Sequence, residues 1–76
     1  MRTEVDLFTT RLKDLRTSAN LSQKQAADMI KLPPATWQKY ESGERIPTLG
    51  KAVLLADLFA VSLDYLAGRS DNPSMH

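Results

Sequence analysis

Seventy-six residues with 42% hydrophobic content and no cysteine make one small domain. A core of this size leaves little net stability, and neither a disulfide framework nor a thiolate metal site can add to it. A formal net charge of +1 does not single out a polyanionic partner. No apolar run reaches the roughly 18 residues of a membrane helix. The opening stretch MRTEVDLFTTRLK has no apolar core of signal-peptide length. With the missing cysteines, this points to a cytoplasmic protein.

Residues 1–5 are expected to be frayed, and the first helix is predicted over 6–19, capped by Asp6 or Thr3. Phe8, Leu12, Leu15 and Ala19 recur at helical spacing and form one apolar stripe. Arg11, Lys13 and Asp14 lie off the stripe, and Arg16 borders it. A second helix is predicted from Gln23 to Ile30. Ser22 supplies a side-chain acceptor for the free N–H groups of its first turn, and Gln25 completes a capping-box pattern. Ala26, Ala27 and Ile30 give it an apolar face. Lys31-Leu32-Pro33 breaks it, because a residue preceding proline disfavours the α region.

Pro34 suits the first position of a third helix, where a missing N–H has no consequence. Trp37 and Tyr40 share its inner face, and Gly43 stops it in a left-handed cap. Glu44–Pro47 reads as a loop. Thr48 caps a fourth helix running to about Phe59, with Leu49, Ala52, Val53, Ala56 and Phe59 expected inside and Leu55 at the edge. Leu54 and Leu58 are expected to point outward. Ser62 caps a short fifth helix over 63–67, which Gly68 ends; Tyr65 suits either core or interface. Residues 69–76 are expected to be a disordered tail.

The pieces occur in a telling order. RLKDLR at 11–16 is followed by LSQ at 21–23, AAxxI at 26–30, aromatics at 37 and 40, E-x-G at 41–43, Pro-Thr-Leu at 47–49 and VSLDYLAG at 61–68. This succession resembles the lambda-repressor-like, Cro-type (XRE) family of helix-turn-helix proteins. The resemblance implies an all-α, five-helix lambda-repressor-like bundle whose helix-turn-helix is formed by helices 2 and 3, a domain over 6–68. It also implies an ion pair between Arg16 and Glu41, which the bidentate fork of arginine suits; the alternative is a solvent-facing Arg16. Ala26 and Trp37 depart from the family's usual leucine and aliphatic residue, and the two changes are expected to compensate in volume.

For function, the resemblance implies double-stranded DNA binding with helix 3 in the major groove, as a small bacterial or phage regulator, most simply a repressor. Base contacts are expected from Ala35, Gln38 and Lys39. Phosphate contacts are expected from Gln23, Pro34, Thr36 and Arg45. Gln23 can equally be a good first-turn residue only, and Gln38 can bind a phosphate instead. Pro33, Pro34 and Ala35 weaken hydrogen-bond reading at the helix tip, since many relatives carry polar residues there. Lys39 is the best candidate for a guanine edge, and Ala35 for a thymine methyl. Residues 22–51 carry five bases (Lys24, Lys31, Lys39, Arg45, Lys51) against three acids (Asp28, Glu41, Glu44), a mildly basic middle; an evenly solvated surface is the alternative.

A two-fold homodimer on a palindromic operator is expected, with the contact on Leu54, Leu58, Leu63 and Leu66. Those leucines also suit a different partner protein, as in an interaction module or an antitoxin, or are simply tolerated surface. No catalytic set, metal site or cofactor loop is expected: the one histidine, His76, is at the end of the chain and the carboxylates do not cluster.

Overall fold

The computed structural model describes residues 4–74, with side chains from Asp6 onward. Five helices follow one another: α1 Glu4–Ser18, α2 Gln23–Met29, α3 Pro34–Ser42, α4 Leu49–Leu58 and α5 Leu63–Leu66. No strand occurs among the described residues. Helix α1 starts earlier than expected, so Asp6 lies inside it and is not its cap, and Thr3 lies outside the described residues. The other predicted caps are in place. Ser22, Thr48 and Ser62 each accept a backbone N–H three residues on, from Gln25, Lys51 and Tyr65.

Helices α1, α2, α4 and α5 close in the same way. In each, one residue turns left-handed and the next sends its N–H back five residues. Leu21 bonds the Arg16 carbonyl, Leu32 that of Ala27, Val61 that of Ala56 and Arg69 that of Asp64. Leu32 and Val61 thereby drop into the core beside Ala27 and Ala56. The left-handed residues are Asn20, Lys31, Ala60 and Gly68. Only at Gly68 is glycine demanded twice, by its φ of 82° and by Leu7 Cβ, which lies 3.0 Å from where a Cβ would sit.

The core gathers Phe8 and Leu12 of α1, Ala26 and Ala27 of α2, Trp37 and Tyr40 of α3, Leu55 and Ala56 of α4, Leu66 of α5, and the closing residues Leu32 and Val61. Ala26, Ala27 and Trp37 have no exposure at all. The Trp37 ring meets Phe59 edge-to-face, with centroids 6.2 Å apart.

Helix α4 is rotated from its expected orientation. Leu55 and Ala56 are its buried pair and Leu58 and Phe59 pack partly against the core, whereas Leu49 is 72% and Val53 41% exposed. The cause lies in the sequence: LGKAVLLADL carries more apolar residues than one face can cover, so periodicity alone does not fix the inner stripe. Leu54 is exposed, as expected, but Leu58 is half-covered and Leu66 is a core residue at 1% exposure. Leu66 therefore leaves the set of candidate dimer contacts.

Within the stretch expected to be a disordered tail, residues 70–73 make defined contacts. The Arg11 guanidinium donates to the carbonyls of Tyr65 and Ser70, pairs with Asp71 at 2.9 Å and stacks over the Tyr65 ring at 4.1 Å. The Ser62 N–H donates to the Pro73 carbonyl at 2.8 Å. Residues 70–73 are thus drawn back along α5, chiefly by main-chain carbonyls that composition does not reveal. Met75 and His76 lie outside the described residues.

Ala60 is exposed and sits at φ 54°, a conformation that costs a side-chain-bearing residue more than it costs glycine. Ala60→Gly is expected to raise stability by about 0.5–1 kcal/mol after the larger entropy lost by glycine is deducted. Urea denaturation checks this, and an unchanged or lower midpoint would contradict it.

Candidate nucleic-acid interface

The α2–turn–α3 unit is set by local chemistry at each junction. Ser22 and Gln25 cap the start of α2 reciprocally: the Gln25 N–H donates to Ser22 Oγ at 3.0 Å and the Ser22 N–H to Gln25 Oε1 at 2.8 Å. At the other end of α2, Lys31 takes φ 57° and reverses the chain in a tight turn. Pro33 is extended, at φ −61° and ψ 139°, and supplies no side-chain cap; Pro34 occupies the first helical position of α3. Gly43 ends α3 at φ 85°.

One carboxylate holds the unit to the rest of the domain. Glu41, late in α3, accepts from Arg16 Nε at 2.6 Å on one oxygen and from Arg16 Nη2 at 3.2 Å on the other. The Trp37 indole N–H and Gln23 Nε2 donate to the same group. Arg16 also donates from Nη1 to the Leu21 carbonyl at 2.8 Å. Residues of α1, α2 and α3 therefore meet at Glu41, and Arg16 ties the α1–α2 turn to the same cluster. The Arg16 and Glu41 side chains are only 12% and 6% exposed, so the expected pair is present and largely dry. Burial by itself pushes the Glu41 carboxyl up. The hydrogen bonds from Arg16, Trp37 and Gln23, with the guanidinium charge, outweigh burial and hold it below its ordinary value.

This network explains how Gln23 is oriented. A carboxylate only accepts, so the amide nitrogen of Gln23 must face it. The second N–H of that nitrogen and its carbonyl oxygen have no partner among the described residues. The donation from Trp37 was not foreseen in the sequence, although the two residues are four apart on α3 and so share a face.

The outer face of α3 is continuous. Pro34, Ala35, Gln38, Lys39 and Ser42 are all exposed, with Thr36 half-buried beside them, while Trp37 and Tyr40 point inward. Arg45 is exposed just beyond Gly43. The tip of the helix is poor in donors: Pro34 has no N–H, and the Thr36 and Trp37 N–H groups are both turned to the Pro33 carbonyl. Lys24, Lys31, Lys39 and Arg45 form no ion pair among the described residues. No group of three or more potential metal-binding side chains occurs there either.

An α2–α3 pair of this geometry, braced by a third helix and offering one clean polar helix face, is a helix-turn-helix. The helix-turn-helix family model matches residues 12–66, and the chain belongs to that family, in its lambda-repressor-like, Cro-type branch. It is 42% identical over 59 residues to the cryptic phage CTXphi transcriptional repressor RstR of Vibrio cholerae, covering 78% of this chain and 53% of that protein. It is 42% identical over 59 residues to the HTH-type transcriptional regulator AnsR of Bacillus subtilis, covering 78% and 51%. It is 36% identical over 67 residues to the uncharacterized HTH-type transcriptional regulator YobD of the same organism, covering 88% and 60%. The chain thus spans between about half and three-fifths of the length of these relatives.

Because the folded pKa of Glu41 is depressed, the stability it contributes is present above the unfolded carboxylate value and is lost as pH falls through the lower folded value. Glu41→Gln leaves Arg16 without a counter-charge and is expected to cost about 3–5 kcal/mol at neutral pH. The gap between wild type and variant is expected to narrow below pH ~4.3. Denaturant melts across pH test this, and a gap that stays constant down to strong acid would contradict it.

Proposed function

We propose that this domain binds double-stranded DNA sequence-specifically, with α3 in the major groove, and acts as a transcriptional repressor in the cytoplasm by occupying an operator. The observation that carries the proposal is the exposed stripe Pro34–Ala35–Gln38–Lys39 on a helix anchored from behind through Glu41. The major groove is about 12 Å wide and admits one such helix. Similarity to transcriptional regulators, among them the repressor RstR, supports regulation of transcription and, through RstR, repression.

Within this reading Lys39 reads a guanine edge, Gln38 an adenine edge or a phosphate, and Ala35 a thymine methyl. Gln23 presents its second amide N–H to a phosphate at the start of α2, beside the helix dipole. Thr36 and Arg45 hold the backbone, and Pro34 packs against it. Phosphate contacts fix position without reading sequence, so specificity rests on few side chains. That favours a two-fold homodimer on a palindromic operator, in which the same contacts count twice.

The dimer contact belongs on the apolar surface that α4 leaves open. Leu54, Leu63 and the half-covered Leu58 remain from the expected set, and Leu49 and Val53 join them. Leu49 and Leu63 border a groove of about 390 Å³ whose rim carries Asp64 and Arg69, opposite charges that a two-fold axis can pair.

The roles separate by mutation. Lys39→Ala is expected to cost roughly 1–3 kcal/mol of specific binding and to relax preference at one position of the site. Arg45→Ala is expected to weaken all sequences alike and flatten the salt dependence by about one unit of slope. Competition binding over a salt series checks both, and indistinguishable variants would contradict the assignment. Leu49→Glu removes no buried group, so it is expected to leave the fold intact and abolish the dimer in sedimentation; a dimer that survives it places the contact elsewhere.

A further inference from the structure

We infer that Lys31, in the turn between α2 and α3, is an additional DNA-backbone contact that compensates for the donor-poor tip of α3. The inference rests on the DNA-binding reading above.

Lys31 occupies the left-handed position that reverses the chain after α2, at φ 57°. Glycine fits this conformation without the Cβ clash that a side chain suffers. Strain alone does not select Lys31, since Ala60 is held at φ 54° at the end of α4. What sets Lys31 apart is its charge and its place. Its side chain is exposed and makes no hydrogen bond or ion pair within the described residues. Its backbone is fixed, with its N–H donating to the Asp28 carbonyl at 3.2 Å while the next residue, Leu32, is anchored in the core. The stem therefore starts from a rigid point, and only the side chain must be ordered on binding.

The reach is sufficient. Lys31 precedes Pro34 by three residues, at most ~11 Å of extended chain. If the tip of α3 enters a groove about 12 Å wide, the phosphates on its rim lie within range of a lysine stem rooted there. The tip itself offers little to an anion. Pro33 and Pro34 have no N–H, the Thr36 and Trp37 N–H groups are spent on the Pro33 carbonyl, and Ala35, with only a methyl side chain, leaves its single N–H as the main-chain donor there. A cation at the foot of this tip supplies the attraction that the free N–H groups of a helix start otherwise give.

The test uses the whole chain and a mixed-sequence duplex of roughly three helical turns, since a phosphate contact needs no particular sequence. Lys31→Gly removes the charge and relieves the backbone; Lys31→Arg keeps both the charge and the strain. Lys31→Gly is expected to raise the thermal midpoint yet lose about 0.9 of salt slope, roughly fivefold in affinity near 0.15 M salt. Lys31→Arg is expected to keep the wild-type slope. An unchanged slope in Lys31→Gly, or an equal loss in Lys31→Arg, overturns the inference while DNA binding stands. A wild-type protein with no salt-sensitive retention overturns the DNA-binding reading, and this inference with it.

Discussion

The geometry of the domain turns on one largely dry carboxylate. Glu41 gathers Arg16 from α1, Gln23 from the start of α2 and Trp37 from α3, and so sets how the recognition unit is seated on its support. A buried ion pair is a poor source of net stability, because desolvation offsets much of the attraction. Its value lies in geometry. Each donor meets the carboxylate from a different element, so α3 cannot roll about its axis without breaking at least one bond. The apolar side of the same helix reinforces this, since Trp37 is fully enclosed and braced by Phe59. In a chain this small, with few alternative contacts to take over, loss of the carboxylate frees both the fold and the orientation of the outer face.

On the proposed reading, that rigid seat serves an unusual tip. Two prolines fix the entry to α3 and remove donors from it, so the work of reading moves inward along the helix to Gln38 and Lys39. Attraction to the phosphates falls to cations spread around the unit rather than concentrated at its end. A domain of near-neutral net charge can still approach DNA in one orientation when its unpaired bases lie on one side. Few readers per copy favour the proposed second copy, and the apolar residues that α4 leaves uncovered are where it would sit.

Much of this was legible in the sequence because the signals were local. Ser22, Thr48 and Ser62 act through side chains on backbone groups three residues away, and Pro34 and Gly43 restrict their own φ, so the starts of α2 to α5 and the end of α3 could be placed from the residues alone. The pairing of Arg16 with Glu41 came from a family pattern rather than from spacing. What could not be read was decided by packing. Helix α4 is apolar nearly all round, so its rotation is decided by tertiary packing and not by its own periodicity; Leu55 is enclosed while Leu49 and Val53 stay exposed. The same uncertainty assigned Leu66 to the surface when it completes the core. Residues 70–73 looked unstructured because polar composition says nothing of an arginine fifty-nine residues earlier that binds the Ser70 carbonyl. Lys31 read as part of a helix break and as one of five bases in the middle of the chain, but a left-handed φ at a lysine has no signature in sequence.

The most direct measurement is a selection from a random duplex pool with the purified protein, followed by sequencing of what is retained. A protein that reads DNA through α3 as a two-fold dimer should enrich a symmetric motif with half-sites about one helical turn, ~34 Å, apart. Retention without any enriched motif, weak and abolished by moderate salt, would contradict sequence-specific recognition and leave the outer face of α3 as a positively charged surface only.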